Sequence, residues 1–125
     1  MQECGKTLTC PVEATIRLIG GKYKAVILWY LMGNTLRYSE LHKRLPNATD
    51  KMLAQQLREL EKDGLLNRTV YPVVPPKTEY SLTDFGNSLA PILDAMCNWG
   101  RDYLENGDNT KFGAEPVCDT GENGE

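Results

Sequence analysis

A chain of 125 residues fits one domain around a single hydrophobic core. Its longest apolar run, residues 25–32, falls far short of the roughly 18 residues that span a membrane, and the N-terminus M-Q-E-C-G-K-T-L-T-C has no apolar stretch of signal-peptide length. A soluble cytoplasmic protein with no membrane partner is expected, and at first sight the net charge of −3 speaks against nucleic acid.

In chain order, residues 1–9 form a flexible lead-in. Residues 11–19 then begin with Pro11 directly after Cys10, and proline is favoured at the first helical position. Gly20 and Gly21 break this first helix. Residues 22–32 predict a second helix, apolar nearly all round (Ala25, Val26, Ile27, Leu28, Trp29, Leu31), as a central core helix should be. Gly33 and Asn34 end it. After a brief extended segment, residues 36–38, Ser39 is placed to cap a short helix that runs to Leu45 and turns Leu41 and Leu45 inward.

Residues 46–48 make a turn, and Thr49 is an N-cap for the helix of residues 49–64, closed by Gly64. At 100° per residue, Leu53, Leu57 and Leu60 gather on one side of that helix, while Lys51, Gln55, Arg58 and Lys62 fall on the other. Taken alone this is an ordinary amphipathic surface helix. Behind a short helix and a tight turn, it is the second half of a helix-turn-helix. Residues 65–71 and 77–82 are β-prone, and the prolines Pro72, Pro75 and Pro76 confine the connection between them to a stiff projecting loop. The fold class expected is mainly α with a small β-hairpin wing: a winged helix-turn-helix. Thr83 caps a last helix of residues 84–104, and Leu89, Ile92, Leu93, Met96, Trp99 and Tyr103 recur along it at threes and fours. The stripe is long enough to meet a second subunit. An acidic, disordered tail, residues 105–125, completes the chain.

The tail resolves the question of charge. It carries six acids and one base, whereas residues 17–77 hold 11 basic residues against 5 acidic. Binding responds to the local field more than to the total. The four cysteines, Cys4, Cys10, Cys97 and Cys118, show no C-x-x-C spacing, and the single histidine, His42, has no cysteine near it in sequence. Neither a metal site nor a cofactor is expected. The sequence offers no nucleophile–base–acid set, and the Gly20-Gly21-Lys22 run lacks the spacing of a phosphate loop. An enzyme is therefore not expected.

Several segments, in order, resemble the HxlR-type winged-helix transcriptional regulators, relatives of the MarR group. They are C-P-V-E-A-T (from Cys10), I-G-G-K-Y-K (from Ile19), L-R-Y-S-E-L (from Leu36), M-L-A-Q-Q-L-R-E-L-E-K-D-G-L (from Met52), V-Y-P-V-V-P-P-K-T-E-Y-S-L-T (from Val70) and C-N-W-G (from Cys97). The resemblance covers residues 10–103 and assigns residues 10–104 to one DNA-binding and dimerisation domain. It implies a homodimer joined by the first and last helices on a two-fold symmetric operator, with half-sites about one helical turn apart. Val12, Ile16, Leu89, Leu93, Met96, Trp99 and Tyr103 are the interface candidates.

The candidate DNA contacts are Thr49, Asp50, Lys51, Gln55, Arg58 and Lys62 on the second helix of the motif, Lys43 and Arg44 on the first, and Arg68 and Lys77 on the wing. Gln55 and Arg58 are the choices for base readout, because Gln pairs bidentately with adenine and Arg with guanine. Thr49 and Asp50 serve equally well as capping residues. Gln56 points sideways and is left out.

The resemblance also implies, for some family members, sensing of electrophiles or oxidants through a cysteine placed like Cys10. A thiol at a helix N-terminus meets unpaired N–H groups and the positive dipole end, which favour thiolate. Cys10 as a structural cap stays open beside this, and no partner thiol is assigned. Alternatives for the whole chain are a winged helix used as a protein-interaction module, or a regulator answering to a small ligand at an apolar pocket near Trp29, Trp99 and Tyr103.

Overall fold

The computed structural model describes residues 10–106, so residues 1–9, the tail from residue 107 on, Cys4 and Cys118 lie outside the described residues. The chain divides into two compact units, the first ending at Ala90 and the second beginning at Pro91.

The first unit holds α1 (Pro11–Ile19), α2 (Lys24–Leu31), β1 (Leu36–Arg37), α3 (Tyr38–Arg44), α4 (Asp50–Lys62), β2 (Leu66–Tyr71), β3 (Lys77–Leu82) and α5 (Asp84–Asn87). Its core is a set of fully buried aliphatic side chains, Ile27, Leu28 and Leu31 of α2, Leu41 of α3, and Leu53, Leu57 and Leu60 of α4, together with Leu65 and Leu66 where the chain enters the sheet. α2 is less enclosed than its composition suggests. Ile27, Leu28 and Leu31 are buried, while Val26 and Trp29 are exposed.

The sheet has three antiparallel strands in the order β1-β3-β2. Leu36 pairs with Tyr80, and Leu66 through Tyr71 pair with Leu82 through Lys77. The wing is thus the hairpin expected from sequence, with the short β1 added on its inner edge. β2, by contrast, has a single buried residue, Leu66.

Local chemistry sets where the helices begin and end. The short helix α3 starts at Tyr38, one residue before the expected cap. Glu40 reaches back to accept from the Arg37 N–H at 2.8 Å, so Arg37 holds the cap position and Ser39 lies inside the helix. α4 opens as expected: the Thr49 hydroxyl accepts from the Met52 N–H at 3.0 Å. At its end Leu65 N donates to Leu60 O and Gly64 N to Glu61 O, the paired bonds of a helix terminus that requires a left-handed residue. Gly64, at φ 81°, supplies it.

The expected single helix from residue 84 is two. α5 ends at Asn87, Leu89 N turns back to Gly86 O, and α6 (Ala90–Asn106) follows. Pro91 is the physical reason: it has no N–H to offer the Asn87 carbonyl, and it is accommodated in the first turn of α6, where that N–H would have no partner within the helix. α6, almost all of it in the second unit, also extends past the expected end, so that Glu105 and Asn106 are helical. Within that unit Leu93 is buried, Met96, Trp99 and Leu104 are exposed, and the Trp99 and Tyr103 rings stack with centroids 5.6 Å apart.

Candidate nucleic-acid interface

The outward face of α4 is the centre of the candidate interface. With Leu53, Leu57 and Leu60 at 0–1 % exposure, the helix has no rotational freedom, and Lys51, Gln55, Arg58 and Lys62 are all exposed on the opposite side. Gln55, Arg58 and Lys62, with Glu59 and Glu61, line one open groove along the helix. Gln55 Nε2 donates to Glu59 Oε2 at 3.2 Å, and the other carboxylate oxygen of Glu59 receives the ammonium of Lys24 at 2.7 Å. The bonds from Lys24 and then from Gln55 hold the Glu59 carboxyl below its ordinary range. Gln56, expected to point sideways, reaches the residue before α2, its side-chain oxygen accepting from Tyr23 N at 3.2 Å.

The start of α4 is tied to α3. Tyr38 Oη donates to Asp50 Oδ1 at 3.0 Å, and His42 Nε2 lies 3.3 Å from the same oxygen. Burial, then the bond to Asp50, pushes the Tyr38 hydroxyl up to about 12, so it remains a proton donor throughout the physiological range. Asp50 therefore braces the two helices of the motif, and Thr49 caps. Both have structural duties that a DNA contact would have to share. Lys43 is exposed on α3, and the Arg44 guanidinium lies over the Tyr30 ring at 5.4 Å.

On the wing, Arg68 Nε is 3.4 Å from Glu61 Oε1 of α4, and the Lys77 ammonium sits 5.6 Å over the Tyr71 ring. The loop between the strands is exposed at Val73 and almost entirely so at Val74, with a cis bond before Pro75. Lys77 shares an open groove with Arg37, Tyr38, Ser39, Pro75, Pro76 and Thr78. Among the described residues no carboxylate lies within 4 Å of the Arg37 guanidinium. Arg37 is a cation that sequence reasoning missed. Its only signal, a basic residue between two strand-like positions, is indistinguishable from solvated surface charge.

A buried aliphatic face, an outward basic and amide face, a braced preceding helix and a two-stranded wing together make a winged helix-turn-helix. The model of the HxlR-like helix-turn-helix family matches residues 18–108. The chain belongs to this family. Its members are transcriptional regulators, not enzymes, and this protein is a transcriptional regulator with a helix-turn-helix DNA-binding fold. The HTH-type transcriptional regulator YtcD of Bacillus subtilis is 54 % identical over 99 residues, 79 % of each chain. Among solved structures, the redox regulator HypR in its oxidised form superposes with a TM-score of 0.72 at 47 % identity, covering 74 % of this chain and 96 % of that one. The reduced form of the transcriptional regulator YodB from B. subtilis gives 0.66 at 33 % identity, covering 81 % and 100 %.

Among the described residues no group of His, Cys, Asp and Glu could hold a metal, and no helix is long and apolar enough to cross a membrane. Cys10 stands at the N-cap of α1, where the Glu13 carboxylate accepts from its N–H at 3.3 Å. That carboxylate takes the N–H of the cap residue itself, while the Cys10 side chain faces the Glu13 N–H of the first turn, the reciprocal arrangement of a capping box. Cys97 receives a bond from Arg101 Nη2 at 3.3 Å. Of the interface candidates, Val12, Ile16, Met96 and Trp99 are exposed and Tyr103 is half-buried, whereas Leu89 and Leu93 are buried within the single chain.

Proposed function

We propose that this protein regulates transcription in the cytoplasm as a homodimer that reads a palindromic DNA operator, with α4 in the major groove and the wing on the backbone. The observation that carries the reading is the outward face of α4: Lys51, Gln55, Arg58 and Lys62 exposed on a helix whose other face is locked into the core. Gln55 and Arg58 read base edges, and Lys51, Lys62, Lys43, Arg44, Arg68 and Lys77 hold phosphates. Thr49 and Asp50 flank the groove at the helix start. The exposed Val12 and Ile16 of α1 and Met96 and Trp99 of α6 support a second copy as partner, and two-fold symmetry then spaces the half-sites by about 10 base pairs.

A gel shift on the DNA upstream of the protein's own gene tests this. Tight, sequence-dependent binding that weakens steeply with salt is expected. No binding even at low salt would instead favour a winged helix used for protein assembly. Sedimentation should give a dimer.

We also infer that Cys10 is the control point: its sulfur forms a C–S bond to a ring carbon of a quinone-type electrophile as the ring C=C π bond breaks, and the thiol proton passes through solvent to the quinone oxygen. Its place at a helix N-terminus supports this, as do the neighbours, one named as a redox regulator and another solved in a reduced form. The Cys10→Ser variant should keep operator affinity and lose the response to quinones. A wild-type response from this variant would make the thiol structural.

A further inference from the structure

The I-G-G-K-Y-K segment has no part in the DNA contacts above, yet it is the piece of chain that grips the reading helix from behind. The turn of residues 20–24 approaches α4 so closely that a Cβ on Gly21 would lie 2.5 Å from Gln56 Oε1 and 3.0 Å from Lys24 Cδ, which excludes any side chain there without displacing one of them. The Tyr23 N–H then bonds Gln56 Oε1. One residue on, Lys24 is the single buried charged side chain among the described residues, 7 % exposed. A buried ammonium is tolerated only when paired, and its partner is Glu59 at 2.7 Å.

Glu59 stands on the border between the inner and outer faces of α4. One of its oxygens faces inward to Lys24 and the other faces outward to Gln55 Nε2. An ionised carboxylate only accepts hydrogen bonds, so the Gln55 amide must turn its NH2 toward Glu59. One N–H of Gln55 is thereby committed, and its second N–H and its carbonyl oxygen remain for a ligand. That donor–acceptor pair matches the N7 and N6 edge of adenine in the major groove. A Gln–Glu pair four residues apart on an exposed helix is weak by itself. The buried ammonium gives it a fixed anchor.

We propose that Lys24 is a positioning residue for base recognition, acting through Glu59 to hold the Gln55 amide in the orientation that reads adenine. This rests on the DNA-reading function proposed above. It assigns specificity to a residue that never reaches the DNA, and it gives Gly21 a role: to let the backbone come close enough for Lys24 to pass under α4.

The experiment is a binding-site selection on random duplex DNA with the full-length wild type, Gln55→Ala, Lys24→Met, Lys24→Arg and Glu59→Met, each checked for folding by circular dichroism. The wild type is expected to select a site with one adenine-preferring position per half-site, discriminated on the order of tenfold or more. Gln55→Ala flattens that position. Lys24→Met and Glu59→Met lower the preference there by about threefold or more and leave the other positions unchanged, while Lys24→Arg, which can still reach the carboxylate, retains it. Cutting the Lys24–Glu59 contact from either side means that a folding defect in one variant leaves the other to decide. An unchanged preference in folded Lys24→Met or Glu59→Met overturns the proposal, as does an equal loss at every position. If Gln55→Ala selects the wild-type site, the relay has nothing to position and the proposal falls while DNA reading stands. If the wild type selects no sequence at all, it is the DNA-reading function that fails.

Discussion

The reading helix and the wing are neighbours in sequence but are built on opposite terms. α4 buries three leucines completely, is capped by Thr49, is braced to α3 through Asp50, and has Glu59 held by a buried ammonium. The wing has a strand with one buried residue of six and a tip where Val74 is 99 % exposed. Its cations rest on partly exposed contacts, Arg68 on Glu61 and Lys77 over Tyr71, each of which contributes little. The contrast matches two kinds of recognition. A base edge is read only by donors and acceptors fixed in place, whereas a phosphate backbone needs positive charge nearby and tolerates movement.

The largest effect is expected in the core. Leu57→Ala, beneath the reading face, should lower stability by about 2–5 kcal/mol in urea unfolding; a loss under about 1 kcal/mol would show that α4 is not held as tightly as described. Arg58→Ala comes next, with about 1–3 kcal/mol lost on the specific site and little on scrambled DNA. Lys77→Ala should weaken binding to both DNAs alike and make the salt dependence shallower by about one phosphate contact. A sequence-selective loss from Lys77→Ala would abolish the division between helix and wing.

The smallest effect expected is a shift in the titration of Glu59. Its carboxyl is depressed from the ordinary 4.5 by the bonds from Lys24 and Gln55. The folded state therefore gains from the ionised form above the ordinary value, and the gain fades as pH falls through the lower folded one. In an NMR titration the Glu59 midpoint should lie below 4.5 and move upward in Lys24→Met. An unmoved midpoint would mean that the Lys24 contact does not persist in solution.

Much of this was legible in the residues. The leucines of α4 with the polar face opposite, Thr49 as its cap, Gly64 as its stop and the proline-bounded wing all follow from local pattern, since periodicity and turn chemistry act over a few residues. Local pattern misled where a single residue outweighed it. Pro91 splits the last helix although the apolar spacing runs through it, and Glu40 moves the start of α3 from Ser39 to Arg37. What could not be read at all joins distant positions: β1 pairing with β3, Tyr38 meeting Asp50, and Lys24 meeting Glu59 across 35 residues. In sequence Lys24 is one more cation in an apolar helix, and only packing shows that it points inward.

Methylation interference on the selected operator tests most directly whether the outward face of α4 reads bases. Methylating guanine N7 blocks the atom that an arginine fork would bond in the major groove. Wild-type binding should be blocked by methylation at one guanine per half-site, and Arg58→Ala should lose that interference while keeping the rest. An identical pattern in wild type and Arg58→Ala, or no interference at any guanine N7, would contradict it.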